Sequence, residues 1–267
     1  MERQKKYAFL DTDFIFKSHL SHDALQNTLA DMIVGFEDFE FFCHEMILNE
    51  LSRHHITPDP LPWLNNLIQT GRIRLYTDKD ILNELKTIYG TGASSMYTTM
   101  LERSCNTFNQ GFFDECYSTL KALSITISED AFLDELRRCD GDIPHQNGIG
   151  EKKTYVLIQM MELLYPGRVY VFCSDDFAAR QSLNSIPVAV RCLSIIGVFQ
   201  LLKEKSIPKK TMKPYFDSLC EFLEGQQQTT YRVWYKYSRI RVPISQVFDE
   251  IYEDRFHLFK NGDLSYR

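Results

Sequence analysis

Val169–Arg180 reads VYVFCSDDFAAR, and its reading decides the fold. Val169 to Cys173 is a continuous apolar run of strand length with no polar alternation. Such a run predicts a strand buried on both faces, the habit of a parallel sheet. Ser174, Asp175 and Asp176 close it, and the spacing that follows predicts a helix over 176–183. In open parallel sheets ligands gather outside the carboxyl ends of the strands, so two adjacent carboxylates there mark a candidate site. One aspartate can cap the helix that follows. A cap needs only one, so the expected division of labour has one aspartate capping and the other facing the sheet edge.

Outward from this stretch the same grammar recurs. Lys6 to Leu10 (KYAFL) is a short apolar run ending at Asp11, and helical spacing follows over 12–33. Residues 40–53 read as a short strand or a helix start, followed by helix. Further helices are predicted at 64–70, 78–89, 151–165, 194–205 and 212–224, and further strands at 72–76 and 186–190. Between 91 and 147 the reading is a turn-rich start (TGASSMYTT), helical spacing over 101–124 and an amphipathic helix over 130–138. DGDIPHQNGIG, Asp140 to Gly150, has loop composition. After residue 225, TTYRVWYKYSRIRVPI alternates as a strand would, and 245–259 is predicted helical. Strands alternating with helices predict an α/β fold with a mainly parallel central sheet. The expected organisation is one domain over 1–224, with 91–147 inserted into it and 225–267 packed on as an extension.

The composition supports a sizeable core: 267 residues, 44% hydrophobic and 13% aromatic. The net charge of −6 argues against a simple basic nucleic-acid binder, although binding depends on where charge sits. Seven scattered cysteines, an odd number with no CxxC pair, argue against a disulfide framework or a zinc ribbon. No apolar run reaches membrane-spanning length, and the N-terminal apolar run breaks at Asp11, too soon for a signal peptide. The expectation is a cytoplasmic protein.

If the strands ending at Asp11 and Cys173 are both central, Asp11, Asp175 and Asp176 converge on one sheet edge. Glu50, in MILNELSRH, sits on a helix whose Met46, Ile47 and Leu51 form the packing face, and can point along the same edge. Glu151 follows the glycines of NGIGE at a helix start, where a carboxylate also suits the helix dipole. Carboxylates brought together repel, so the cluster is costly unless protons or a cation neutralise it. Oxygen-rich sets of this kind suit Mg²⁺ or Mn²⁺. Asp13, Asp140 and Asp142 read as surface or turn residues, Asp142 being nearest the site. His44, His54 and His55 flank Glu50 without a ligand spacing of their own.

Four pieces together resemble the PIN-domain nucleases: LDTDFIF (Leu10 to Phe16), ILNELSRH (Ile47 to His54), GIGEKKTYVLIQM (Gly148 to Met160) and VFCSDDFAARQSL (Val171 to Leu183). The continuation IPVAVRCLSIIGVFQLLKEKSI, Ile186 to Ile207, is similar to that family's last strand and helix. The branch to compare it with is the one related to toxin–antitoxin ribonucleases. The resemblance implies a three-layer α/β/α fold and a Mg²⁺ or Mn²⁺ site held by Asp11, Glu151, Asp175 and Asp176, with Glu50 as a further catalytic acid. The family pattern favours Asp176 as the nearer metal ligand. It also implies cleavage of single-stranded RNA, an inhibitory antitoxin-like protein as a candidate partner, and a homodimer as a candidate assembly. The segments 91–147 and 225–267 exceed the compact toxins and weigh against a toxin role more than against nuclease chemistry.

Basic residues gather at Lys203–Lys213, including Lys209 and Lys210, and at Arg232–Arg241, where Arg232 and Lys236 interleave with Trp234, Tyr235 and Tyr237. Cations among aromatics suit single-stranded nucleic acid, but period-two alternation also fits a strand whose aromatics face the core. Arg180, one turn past Asp176, can brace the acids or meet a phosphate. Two other readings stand beside the nuclease. Asp11-Thr12-Asp13 also resembles the opening motif of haloacid-dehalogenase-type phosphatases, with Lys152 or Lys153 as the partner cation, although Phe14-Ile15 departs from that pattern. The fold can also serve as a catalytically silent RNA- or protein-binding module.

Overall fold

The structure is a computed structural model and describes residues 4–53, 59–125, 128–144, 148–185 and 190–267. His54, His55 and most of the strand predicted at 186–190 lie outside these residues. The chain runs β1 (Lys6–Leu10), α1 (Thr12–Leu20), α2 (Leu29–Val34), β2 (Phe39–His44), α3 (Glu45–Arg53), α4 (Leu61–Gln69), β3 (Ile73–Tyr76) and α5 (Asp78–Tyr89). The inserted stretch supplies α6 (Ala93–Phe108), α7 (Phe112–Cys116), α8 (Ser118–Leu123) and α9 (Glu129–Asp142). Then come α10 (Ile149–Leu164), β4 (Tyr170–Cys173), α11 (Phe177–Asn184), β5 (Val190–Leu193), α12 (Ile195–Glu204) and α13 (Lys209–Gly225). The C-terminal stretch forms β6 (Thr230–Tyr235), β7 (Ser238–Pro243), α14 (Ile244–Tyr252), β8 (Phe256–Leu258) and β9 (Leu264–Tyr266).

The first five strands form one all-parallel sheet in the order β3-β2-β1-β4-β5, with helices on both faces. This is the α/β sandwich of three layers that the apolar runs predict. Alternation along each strand divides the core. Ala8 and Leu10 of β1, with Val171 and Cys173 of β4, face a cluster containing Phe14, Ile47, Phe199 and Phe216. Tyr7 and Phe9, with Tyr170 and Phe172, face a second cluster containing Leu85, Tyr97, Phe132 and Leu157. The inserted helices therefore pack with α5 and α10 on one face. The C-terminal stretch packs on the other, contributing Val233, Phe248, Phe256 and Leu264 to the first cluster.

Three expectations need correction. TGASSMYTT is not a turn: α6 begins at Ala93, because Ala93, Tyr97, Met100 and Leu101 bury one helical stripe. Helical structure after 245 stops at Tyr252; Asp254 takes a left-handed φ of 62°, and the chain returns as β8. Residues 12–33 are two helices with a turn between them, in which Asp23 accepts the backbone N–H groups of Leu25 and Asn27.

The four C-terminal strands make a second sheet, β7-β6-β9-β8. Its loop 260–263 closes against the edge of the first sheet: Cys192 N–H donates to Lys260 O at 2.7 Å and Ser194 Oγ to Gly262 O at 2.7 Å. Gly262 has φ +77°, and a Cβ there would lie 2.8 Å from the Cys192 carbonyl carbon, so only glycine fits. An exposed strand edge is thereby covered.

Candidate functional site

Strand order reverses between β1 and β4, where an open α/β sheet offers its natural crevice. The two strands end level, Leu10 opposite Cys173. Asp11 and Ser174 thus emerge side by side, and Asp11 N–H donates to Cys173 O at 2.9 Å.

Asp11 occupies the N-cap position of α1 but its carboxylate does not cap that helix. It accepts instead from Ser174 Oγ at 2.7 Å and is 5% exposed. Glu50 is reached from α3. Its Oε1 accepts the Gly150 N–H at 3.1 Å and its Oε2 accepts the Thr12 hydroxyl. A Cβ on Gly150 would sit 2.6 Å from Glu50 Oε1, so the glycine makes room for the glutamate. Gly148, at φ +66°, starts α10, and Glu151 falls in its first turn. Asp176 caps α11, accepting the Ala179 N–H at 3.1 Å, while its own N–H donates to Ser174 Oγ at 3.1 Å.

Asp11, Glu50, Glu151 and Asp176 act on one another electrostatically. Burial, then Glu151 and Glu50, push the Asp11 carboxyl well above the ordinary carboxylate range, against the opposing hydrogen bond from Ser174. Burial raises Glu151 as well; Lys152 offsets part of this, while Glu50 and Asp176 add to it. Asp175 turns aside. It accepts the Lys17 ammonium and, through Oδ1, the Ile195 N–H at 3.3 Å. Burial opposes the Lys17 charge, yet Asp175 raises it above its ordinary range. The expected division between the two aspartates is therefore different in kind. Asp176 both caps α11 and faces Glu151, whereas Asp175 is held in an ion pair.

The four acids offer hard oxygen donors in a buried, negatively charged setting, which suits Mg²⁺ or Mn²⁺. Among the described residues one set of side chains closes tightly enough to hold an ion, and these four acids are not in it. That set is His44, Glu45 and Asp78, with ligand atoms within 4.8 Å of one another. The Lys153 ammonium already pairs with its Asp78 member, 2.9 Å from Oδ2, and with Asp140 beside it, 3.1 Å from Oδ2. His44 Nδ1 accepts the Met46 N–H at 3.2 Å, which places the ring proton on Nε2, 3.2 Å from Asp78 Oδ1. That tautomer leaves His44 Nε2 without a lone pair for a cation. Asp140 is thus a buried partner of Lys153 rather than a turn residue, while Asp142 pairs with Arg138 on the surface. Asp13 is 58% exposed, 3.9 Å from Lys17.

The predicted substrate-binding cations divide. Arg180 is 3% exposed and braces: Nη2 donates to Asp263 Oδ1 at 2.9 Å, Nη1 to Ser174 O at 2.8 Å and Nε to Asn261 O at 3.1 Å. These contacts display the bracing role, the first of the two expected of Arg180. Lys209 pairs with Asp249 at 2.9 Å, and Lys210 is exposed. Lys236 stands at the β6–β7 turn with φ +55°, over the Tyr235 ring. Arg232 is exposed on β6. Hairpin aromatics do not all face the core: Tyr237 is fully exposed, and Val233 and Val242 fill the interior instead.

Sequence reading missed Thr12, Lys17, Ser174 and Asp263. Thr12 and Ser174 adjoin acids already singled out, so proximity in sequence was a usable signal. Asp263 lies 83 residues from Arg180 and carried none. No helix among the described residues is long and apolar enough to cross a membrane. Comparison of the chain with protein-family models, with curated proteins and with solved structures finds no match.

Proposed function

We propose that this chain is a divalent-metal-dependent endoribonuclease of PIN type, acting on single-stranded RNA. One arrangement carries the reading: four carboxylates from four separate elements lie near the reversal point of the parallel sheet, where burial and neighbouring acids raise the Asp11 and Glu151 carboxyls above their ordinary range. A protein that gathers buried acids against their mutual repulsion has a cation or proton to hold. Asp11, Glu50, Glu151 and Asp176 are the residues to hold Mg²⁺ or Mn²⁺. When bound, such an ion supplies an activated water and charge stabilisation at a phosphodiester.

The chain's own residues do the positioning. Ser174 orients Asp11, Thr12 and the Gly150 N–H orient Glu50, and the α11 cap orients Asp176. Arg180 secures the Ser174 backbone from behind. The exposure of Asp13 weighs against the phosphatase reading, in which both aspartates of Asp11-Thr12-Asp13 would serve.

The test is cleavage of an unstructured oligoribonucleotide with Mn²⁺, Mg²⁺ or EDTA, for the unsubstituted chain, Asp11→Asn and Glu151→Gln. Metal-dependent cleavage lost in both variants, with circular dichroism unchanged, is the expected result. Full activity in both, or cleavage that persists in EDTA, would sink the site assignment.

A further inference from the structure

A cavity of about 550 Å³ opens beside Asp175, between α1, α11 and the β6–β7 hairpin. Its charged lining is Lys17, Arg180, Arg232, Arg239 and Arg241 against the one carboxylate of Asp175. Two of these cations are already neutralised: Lys17 by Asp175 and Arg180 by Asp263. Arg232, Arg239 and Arg241 remain. The nearest acid to Arg239 is Asp263, at 3.8 Å, and that carboxylate already serves Arg180, Trp234 and Asn261.

The hairpin sets this charge against itself. Arg232 stands directly opposite Arg241 in the antiparallel register, and Arg239 lies two residues along, so the three share one face. Like charges directly opposite destabilise a strand pair. Arg239 is also preorganised. Its guanidinium carbon lies 3.6 Å from the Phe177 ring centre, and its buried Nε has no partner among the described residues. Burial, with Arg232 and Arg180 adding to it, disfavours the Arg239 charge, although Asp263 opposes this. An anion in the cavity relieves this repulsion.

We propose that this cavity is a phosphate-binding pocket, seating a phosphate of a nucleic-acid strand next to the acidic site. Arginine forks match phosphate oxygens in pairs. The volume falls in the range of small-ligand pockets and exceeds the need of a single phosphate, leaving room for part of a nucleotide. The placement answers an electrostatic need. A chain of net charge −6, with an acid cluster at its crevice, repels a polyanion unless cations are concentrated alongside. That the phosphate belongs to a nucleic-acid strand rests on the proposed nuclease function; that the cavity takes phosphate rests on the hairpin alone.

The test is fluorescence anisotropy with a 3′-labelled octauridylate, over a range of salt, in EDTA to prevent turnover. The full chain is compared with Arg232→Gln/Arg241→Gln and with the single Arg241→Gln, using strands with a 5′-phosphate and with a 5′-hydroxyl. Affinity is expected to fall by roughly tenfold or more in the double variant, and its log–log salt slope by about 1.4. The double variant is expected to melt no lower than the unsubstituted chain, because a cross-strand repulsion is gone; if it does not fold, the single variant carries the same comparison. Tighter binding of the 5′-phosphorylated strand identifies a terminal phosphate, and equal binding an internal one. Unchanged affinity and salt slope in the variants, or no binding by the unsubstituted chain, overturns the pocket. Binding that depends on the two arginines in a chain that cleaves nothing with Mn²⁺ keeps the pocket and removes the nuclease. Cleavage with binding indifferent to the arginines does the reverse.

Discussion

Arg180 Nη2 meets Asp263 Oδ1 at 2.9 Å, with both side chains almost wholly removed from solvent. The pair ties the C-terminal sheet to the acidic site, because Arg180 also holds Ser174 O, and Ser174 Oγ holds Asp11. Removing one partner of a buried ion pair strands the other. Asp263→Ala is therefore expected to cost about 3–5 kcal/mol in urea unfolding. A loss below about 1 kcal/mol, the range of a surface pair, would show that the pair is dispensable.

Asp11 predicts a gain in stability from losing a proposed catalytic residue. Its folded pKa is raised by burial and by Glu151 and Glu50. The metal-free native state therefore holds more protons than the unfolded chain. Stability falls as pH rises from the unfolded value, about 3.9, to the raised native value. Above that interval the ionised Asp11 is a standing cost. Asp11→Asn is expected to raise the melting temperature of metal-free protein at pH 7, and to flatten its pH dependence between about pH 4 and 7. Mn²⁺ should raise the melting temperature of the unsubstituted chain far more than that of the variant. A lower melting temperature in metal-free Asp11→Asn would contradict the account.

The central sheet was legible because its strands are buried on both faces and so read as unbroken apolar runs. Helix α5 was legible to the residue, its Thr77–Asp80 capping box standing just before the apolar spacing. α6 was not, because Ser and Thr at its start mimic a turn and only tertiary burial of Ala93 and Tyr97 decides the matter. Strand β9 was illegible for another reason. It is three residues long, pairs with the equally short β8 across a tight turn, and joins the sheet through β6, which is remote in sequence. At the site, the acids were legible by their places at strand and helix ends. Their supports were less so, since Lys17 and Asp263 reach it across 158 and 83 residues.

Gly150 separates site geometry from stability. It lies inside the first turn of α10, where alanine is the better helix former by up to about 1 kcal/mol. A Cβ there would press on the Glu50 carboxylate, the movable end of a side chain rather than backbone. Gly150→Ala is therefore expected to melt within a few degrees of the unsubstituted chain. Displacement of Glu50 should still lower metal-dependent cleavage, by about 10–100-fold, the usual effect of disturbing groups around a metal site. Unchanged cleavage would remove Glu50 from the site.

Lys153 predicts a destabilisation with a distinctive pH signature. It is fully buried between Asp78 and Asp140, with the Tyr97 hydroxyl at 3.3 Å. Burial opposes the Asp78 charge, yet Lys153 and His44 hold its carboxyl well below the ordinary range. A depressed folded pKa contributes stability above the unfolded value, and that contribution is lost only as pH falls through the depressed one. Lys153→Met leaves two carboxylates buried without a cation, at an expected cost of about 3–5 kcal/mol at pH 7. In the variant the Asp78 carboxyl loses the cation that depressed it and can protonate more readily, which relieves the cost. The stability gap between the two proteins should therefore narrow as pH falls from 7 towards about 4, where carboxylates begin to bind protons. Adding Asp78→Asn and Asp140→Asn should recover part of the loss at pH 7, since the penalty belongs to unpaired charge. Denaturant unfolding at several pH values measures both effects, and a gap that stays constant or widens towards acid would rule out the ion network as the cause.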